Sequence, residues 1–223
     1  MGIAENIDKI KTSLPKDVTL VAVSKTKPAD MLIEAYNHGQ RIFGENKVQE
    51  MSAKYELLPK DIEWHFIGHL QTNKIKYMVS FVSMIHAVDS LKLLQAINFE
   101  ATKFNRVIPC LLQFHIAEEE TKFGLSMDEA LEIFKSEELK SLKNVKIAGV
   151  MGMATFTDDE NQVRKEFSNL KSYFDLIKVG YFADQQYFKE ISMGMSDDYP
   201  IAVEEGSTMV RIGSNIFGDR IYA

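Results

Sequence analysis

Short apolar runs of strand length recur along the whole chain and alternate with longer segments of helical spacing, and this alternation restricts the available folds more than any other feature. The candidate strands are residues 18–23, 41–43, 63–67, 84–87, 107–115, 146–151, 190–193 and 209–212. They are apolar on consecutive positions, the pattern of strands covered on both faces, so a parallel sheet sheathed by helices is expected. Eight such units imply closure into a barrel. A doubly wound open sheet competes, but it usually places a Gly-rich turn after its first strand, whereas here the first strand runs into Ser24-Lys25-Thr26-Lys27. The expected fold class is therefore α/β, a TIM-type (β/α)8 barrel, with residues 1–223 forming one domain. That length is lean for a fold of roughly 200 to 400 residues.

The helical segments carry their own punctuation. Pro28 suits a first turn and Gly39 suits the stop after Asn37. Ser126-Met127-Asp128-Glu129 and Thr157-Asp158-Asp159-Glu160 both have capping-box form. Val163, Phe167, Leu170, Phe174 and Ile177 follow a 4-3-4-3 spacing that makes one apolar stripe. Residues 1–16, with Ile3, Ile7, Ile10 and Leu14 in helical spacing, predict an extra N-terminal helix before the first strand.

Net charge is −6 and no run of like charges reaches five, which argues against a nucleic-acid groove or a polybasic membrane patch. The N-terminal residues lack a basic segment followed by an apolar one, and Asn6 stands where a myristoylation signal has Ser or Thr. A cytoplasmic location follows as the expectation. Cys110 is the single cysteine and sits in an apolar run, as a buried small hydrophobe would.

Lys25 follows the first strand at the end where barrel active sites are built. Partial desolvation and the neighbouring Lys27 both favour the neutral amine, the form that attacks an aldehyde. A solvated lysine in a strand-to-helix turn accounts for Lys25 somewhat better when it is taken alone. The eighth strand supplies Val210-Arg211-Ile212-Gly213-Ser214, where successive N–H groups before a helical turn can cradle an anion. The seventh ends in Ser192-Met193-Gly194-Met195-Ser196-Asp197-Asp198, which offers further hydroxyls to the same group. Two adjacent Gly/Ser turns opposite a strand-end lysine match a phosphorylated aldehyde. Arg211 alternates with Val210 and Ile212, so it points into a lumen or joins a surface ion pair. An Arg facing a pyridine nitrogen would donate a hydrogen bond and keep its proton.

Asn46, after Phe43-Gly44-Glu45, can bond a cofactor hydroxyl or cap a helix. Gln71, Asn73 and Lys74 can line the mouth, and Asn73 can equally be a cap. His65 and His69 stand four apart, but His65 falls in a predicted strand and no Cys or Glu completes a set with His86 or His115, so no metal site is expected. Asp158, Asp159 and Glu160 are explained by the dipole of the helix they begin.

In order along the chain, Ala22-Val23-Ser24-Lys25-Thr26-Lys27-Pro28, Phe43-Gly44-Glu45-Asn46, Trp64-His65-Phe66-Ile67-Gly68, Lys122-Phe123-Gly124, Ser192 through Asp198, and Val210-Arg211-Ile212-Gly213 resemble the pyridoxal phosphate homeostasis protein family of YggS/PROSC type, from about Val18 to Arg220. The resemblance implies a fold like the alanine racemase N-terminal barrel and pyridoxal 5′-phosphate (PLP) held as a Schiff base on Lys25. It further implies Arg211 near the pyridine nitrogen, phosphate held by Ser196, Gly213 and Ser214, and Asn46 and Met193 at the cofactor. The implied role is to carry or buffer PLP in vitamin B6 and amino-acid homeostasis, with PLP-dependent apo-enzymes as partners and no established catalytic reaction.

Two segments depart from the family pattern. Gly152, in Val150-Met151-Gly152-Met153, adds backbone freedom at the pocket wall, and Tyr199-Pro200 alters a helix start. A PLP-dependent amino-acid racemase of low activity is the alternative function. Two-base racemisation needs a second acid/base that racemases of this fold take from a C-terminal domain, and the chain ends at Ala223. A class I aldolase also needs a lysine and a phosphate site, but its lysine commonly ends a later strand. All the apolar stripes are used by a barrel, so a monomer is expected.

Overall fold

The computed structural model describes residues 2–118 and 123–218; Lys122 of the Lys122-Phe123-Gly124 motif and Arg220 lie outside them. In chain order the elements are α1 (Ile3–Ser13), β1 (Thr19–Val23), α2 (Ala29–Asn37), β2 (Ile42–Glu45), α3 (Val48–Leu57), β3 (Glu63–Phe66), a 3₁₀ helix (Thr72–Tyr77), β4 (Met84–Val88), α4 (Leu91–Thr102) and β5 (Ile108–Gln113). They continue with α5 (Met127–Lys135), α6 (Glu137–Ser141), β6 (Val145–Met151), α7 (Glu160–Tyr181), β7 (Glu190–Ser192), α8 (Tyr199–Glu204), β8 (Met209–Ile212) and α9 (Ser214–Phe217). The strands pair in sequence order and β8 returns to β1, every pair parallel, so the sheet closes into the expected barrel.

Successive strand side chains point to opposite faces of the sheet. Phe43, Trp64, Ile85, Cys110, Ile191 and Val210 belong to the large core that takes in Leu32, Met51, Ile97, Phe167 and Leu170 from the helices. A smaller cluster of Ala87, Leu111, Ala148 and Met151 lies apart from it, inside the barrel. Cys110 is fully buried, and burial pushes its thiol well above the ordinary range.

The helix ends follow local chemistry. Ser126 Oγ accepts from the Glu129 N–H at 3.2 Å while Glu129 Oε2 accepts from the Ser126 N–H at 2.8 Å, a complete capping box. At α7 the cap is Asp159, whose Oδ1 accepts from the N–H groups of Asn161 and Gln162. The box expected from Thr157 is thus displaced by two residues, because a carboxylate at the helix start also meets the positive end of the dipole. Along α7, Val163, Phe167, Leu170 and Ile177 are buried, and Phe174 is packed against the core. The predicted N-terminal helix exists as α1, burying Ile3, Ile7 and Ile10, and Asn6 Nδ2 donates to the Ile216 carbonyl of α9 at 3.0 Å. Pro200 sits in the first turn of α8, where its missing N–H costs nothing. Among the described residues, no helix is long and apolar enough to cross a membrane.

The β5–β6 ladder slips by one residue between Cys110 and Leu111, whose partners are Ile147 and Gly149. Gly149 absorbs the slip with φ of 156°, and a Cβ there would lie 1.8 Å from the Glu190 carbonyl oxygen of β7. Gly149→Ala is expected to cost ~2 kcal/mol or more through backbone displacement and strain. Urea denaturation checks this as a lower midpoint at unchanged m-value.

Candidate functional site

The chain leaves β1 at Val23 and turns at once. The Lys27 N–H donates to the Ser24 carbonyl at 3.0 Å, so residues 24–27 form a β-turn with Lys25 and Thr26 at its centre. Thr26 has φ of 65°, a left-handed value that costs a branched residue on the order of 1–2 kcal/mol. Glu50 offsets part of this, because its Oε1 accepts from the Thr26 N–H at 2.6 Å. Lys54, one turn further along α3, donates to Glu50 Oε1 at 2.7 Å, to Glu45 Oε1 at 2.7 Å and to the Ser24 carbonyl at 2.8 Å. Ser24 Oγ donates to the same Glu45 oxygen at 2.6 Å. The Lys25 turn is therefore clamped from behind by an ionic cluster whose Glu45 and Lys54 are buried. Burial raises the Glu45 carboxyl above its ordinary value even with Lys54 against it, and Glu45 Oε2 has no hydrogen-bond partner among the described residues.

Arg211 reaches the same region from β8 and is only 4% exposed. The surface ion pair is thereby excluded and the lumen confirmed. Its Nη1 donates to Ser192 Oγ at 2.5 Å and its Nη2 to the Gly152 carbonyl at 2.9 Å. Burial lowers the guanidinium to about 10, and Asp198 opposes the shift. It stays charged at neutral pH. Gly152 does not supply the backbone freedom expected of it. Its N–H is held by the Ser192 carbonyl at 3.1 Å, and a Cβ would press on Ile116 at 2.8 Å and Leu170 at 2.9 Å.

A cavity of about 490 Å³ opens at the carboxyl end of the barrel, lined by Lys25, Lys27, Asn46, Arg211, Ser196, Gly213 and Ser214 together with Val23, Ile67, Met153, Phe156, Met195, Asp197 and Gly218. Six of the seven residues singled out from the sequence thus come together. Met193 does not: it is fully buried in the outer core, and Met195, two residues on, takes the place at the wall. Ser196 Oγ accepts from the Gly213 N–H at 3.3 Å, which joins the two Gly/Ser turns. A Cβ on Gly213 would lie 3.1 Å from the Val23 carbonyl oxygen, so glycine lets the β8 turn close tightly against the β1 end. Lys27 reaches across to the Phe217 and Gly218 carbonyls at 3.1 and 2.8 Å. Three of the four charged lining residues are cationic, a balance that favours an anion.

Other expectations resolve differently. Asn46 precedes the α3 cap position, held by Lys47, and Asn73 lies inside the 3₁₀ helix, so neither is a cap. Gln71, Asn73 and Lys74 do not line the cavity. His69 lies 3.6 Å from Asp89 and stacks on Phe123, while His65 and His86 are bonded to each other at 2.9 Å inside the barrel. Among the described residues no group of three or more His, Cys, Asp or Glu side chains could hold a metal ion. Sequence reasoning missed the Glu45–Glu50–Lys54 cluster, because Glu50 and Lys54 at i,i+4 read as a solvated helix pair.

The alanine racemase N-terminal domain model matches residues 2–221. The chain is 41% identical over 204 residues to the pyridoxal phosphate homeostasis protein of Aquifex aeolicus, covering 91% of this chain and 87% of that one. It superposes with a TM-score of 0.88 on PipY of Synechococcus elongatus, solved with PLP bound, at 35% identity over 97% of this chain and all of that one. Alanine racemase from E. faecalis shares the fold, with a TM-score of 0.78 at 15% identity over 97% of this chain and 57% of that one.

Lys54 is 8% exposed in its side chain and Glu45 wholly buried. Lys54→Met is therefore expected to cost about 3–5 kcal/mol by leaving a buried carboxylate unpaired, and adding Glu45→Gln should recover more than half of it. In Lys54→Met the native state holds a proton that the unfolded chain has lost, so stability should fall as pH rises above about 4.5. Chemical denaturation of both variants across pH checks the sign and the size.

Proposed function

Because the chain belongs to the pyridoxal phosphate homeostasis protein family, we propose that it binds PLP at the carboxyl end of its barrel through Lys25. In this reading it acts in vitamin B6 and amino-acid homeostasis as a carrier or buffer of the cofactor, not as an enzyme. The observation that carries the reading is the convergence of Lys25, Arg211 and the Ser196–Gly213–Ser214 turns on one cavity of about 490 Å³ with a cationic lining.

When bound, PLP supplies an aldehyde that condenses with a lysine amine to an imine and releases water. The residues present suit such a group. Gly213 and Ser214 sit where the β8 turn closes on β1, with Ser196 already bonded to Gly213, and these three would hold the phosphate. Asn46 lines the wall and would bond a ring hydroxyl, while Met195 supplies apolar contact in place of Met193. Arg211, fixed by Ser192 and Gly152, would donate to the pyridine nitrogen and keep its own proton. A ring nitrogen that gains no proton leaves the cofactor a weak electron sink, which suits a tether better than carbanion chemistry.

PLP-dependent apo-enzymes are the proposed recipients, the cytoplasm the proposed location, and a monomer the proposed state. A racemase of low activity is the second reading, favoured by the barrel shared with alanine racemase. Turnover of L-alanine or L-serine in a chiral assay would establish it.

Purified protein mixed with PLP is expected to develop a visible imine band, and borohydride should then fix the cofactor mass on the peptide carrying Lys25. Lys25→Ala is expected to lose the band. A Lys25→Ala protein that retains it, or modification at another lysine, sinks the assignment.

A further inference from the structure

Four buried side chains form one line across the barrel interior: His65 on β3, His86 on β4, Ser192 on β7 and Arg211 on β8. Strands β4 and β7 are not neighbours, so the 2.9 Å contact between His86 Nδ1 and Ser192 Oγ bridges the lumen. The polar groups here are deep, with none of the four side chains' residues more than 4% exposed.

Proton counting gives the line a direction. A guanidinium only donates, so Arg211 Nη1 gives its hydrogen to Ser192 Oγ. The serine then holds one hydrogen of its own, and His86 Nδ1 is the acceptor placed to receive it. That nitrogen is therefore bare. Neutral His86 carries its hydrogen on Nε2 and donates to His65 Nδ1 at 2.9 Å, which leaves the His65 hydrogen on Nε2 as well. The reverse order would strand the serine hydrogen in a dry interior at a cost comparable to a lost hydrogen bond. Burial, which lowers His65 to about 4 and His86 well below its ordinary value, agrees with two neutral rings.

We propose that His65, His86 and Ser192 are positioning residues for Arg211, a one-way hydrogen-bond chain that fixes the guanidinium and leaves its remaining N–H donors to face the pocket. With the Gly152 carbonyl as second anchor, the guanidinium plane is held at both Nη atoms. The role toward the cofactor rests on PLP occupying the pocket. The chain itself is a property of the protein without it.

Two measurements test the chain on protein free of PLP. Two-bond 1H–15N correlation of the histidine rings at pH 7 should show His65 and His86 both neutral with hydrogen on Nε2; a hydrogen on Nδ1 of His86, or an imidazolium, overturns the chain. Arg211 Nη resonances should be resolved by hindered rotation in the wild type and averaged in Ser192→Ala, and unchanged resonances overturn it. With PLP, Ser192→Ala is expected to bind roughly tenfold more weakly, as for loss of a charged hydrogen bond, and to shift the visible band. Wild-type affinity and an unshifted band in that variant overturn the positioning role. A wild type that gives no imine band overturns the cofactor assignment, and the ring and Nη spectra then decide the chain by themselves.

Discussion

A guanidinium taken out of water must have its donors met, and Arg211 imposes that requirement on the centre of the barrel. It sits 4% exposed on β8, and its partners come from β7 and from the residue following β6. Meeting it explains choices that look unrelated along the chain. Ser192 is polar in a strand whose neighbour Ile191 is apolar, and Gly152 offers its carbonyl where the Ile116 and Leu170 side chains crowd the place of a Cβ. Closure of the sheet makes this workable, because only a closed barrel brings β4 and β7 within one hydrogen bond of each other across a dry interior.

The pocket is held from two sides by different physics. Inside, neutral groups orient Arg211. Behind β1, the carboxylates of Glu45 and Glu50 share the ammonium of Lys54 and hold the turn that presents Lys25. The Thr26 conformation is unfavourable by itself and persists because Glu50 takes its N–H, so the cluster orders a segment that propensity alone would leave free. A lysine on such a turn has its backbone fixed, which suits the tether proposed for Lys25.

Much of this was readable in the sequence, and the gaps have physical reasons. Strand positions were legible because a parallel strand must be apolar on both faces, and β8 was found residue for residue at Met209–Ile212. Lys25, Arg211 and the Gly213-Ser214 turn stood out because strand ends in a barrel share one rim. Met193 failed as a wall residue because β7 stops at Ser192, and the residue after it still packs in the outer core. The Thr157 capping box failed because three acceptors in succession compete for one helix start, and Asp159 wins. His65 and His86, twenty-one positions apart, carried no signal, since only the register of β3 and β4 and the curvature of the barrel bring their rings together.

The same barrel carries alanine racemases at 15% identity, so the fold does not decide between a tether and a catalyst. What decides is the set of groups that can move protons at the cofactor. A carboxylic acid on the pyridine nitrogen would pass it a proton and strengthen the electron sink, whereas a guanidinium donates a hydrogen bond and retains its proton. The two histidines behind Arg211 are the residues that would otherwise lend it acid–base flexibility. Buried and neutral, each already commits its one hydrogen along the chain or away from Arg211, so the line can hold the guanidinium without supplying a proton to it. In the proposed mode the interior is built to fix the cofactor's ring while keeping its electronics quiet, which makes Lys25 the single point at which the molecule is gained or given up.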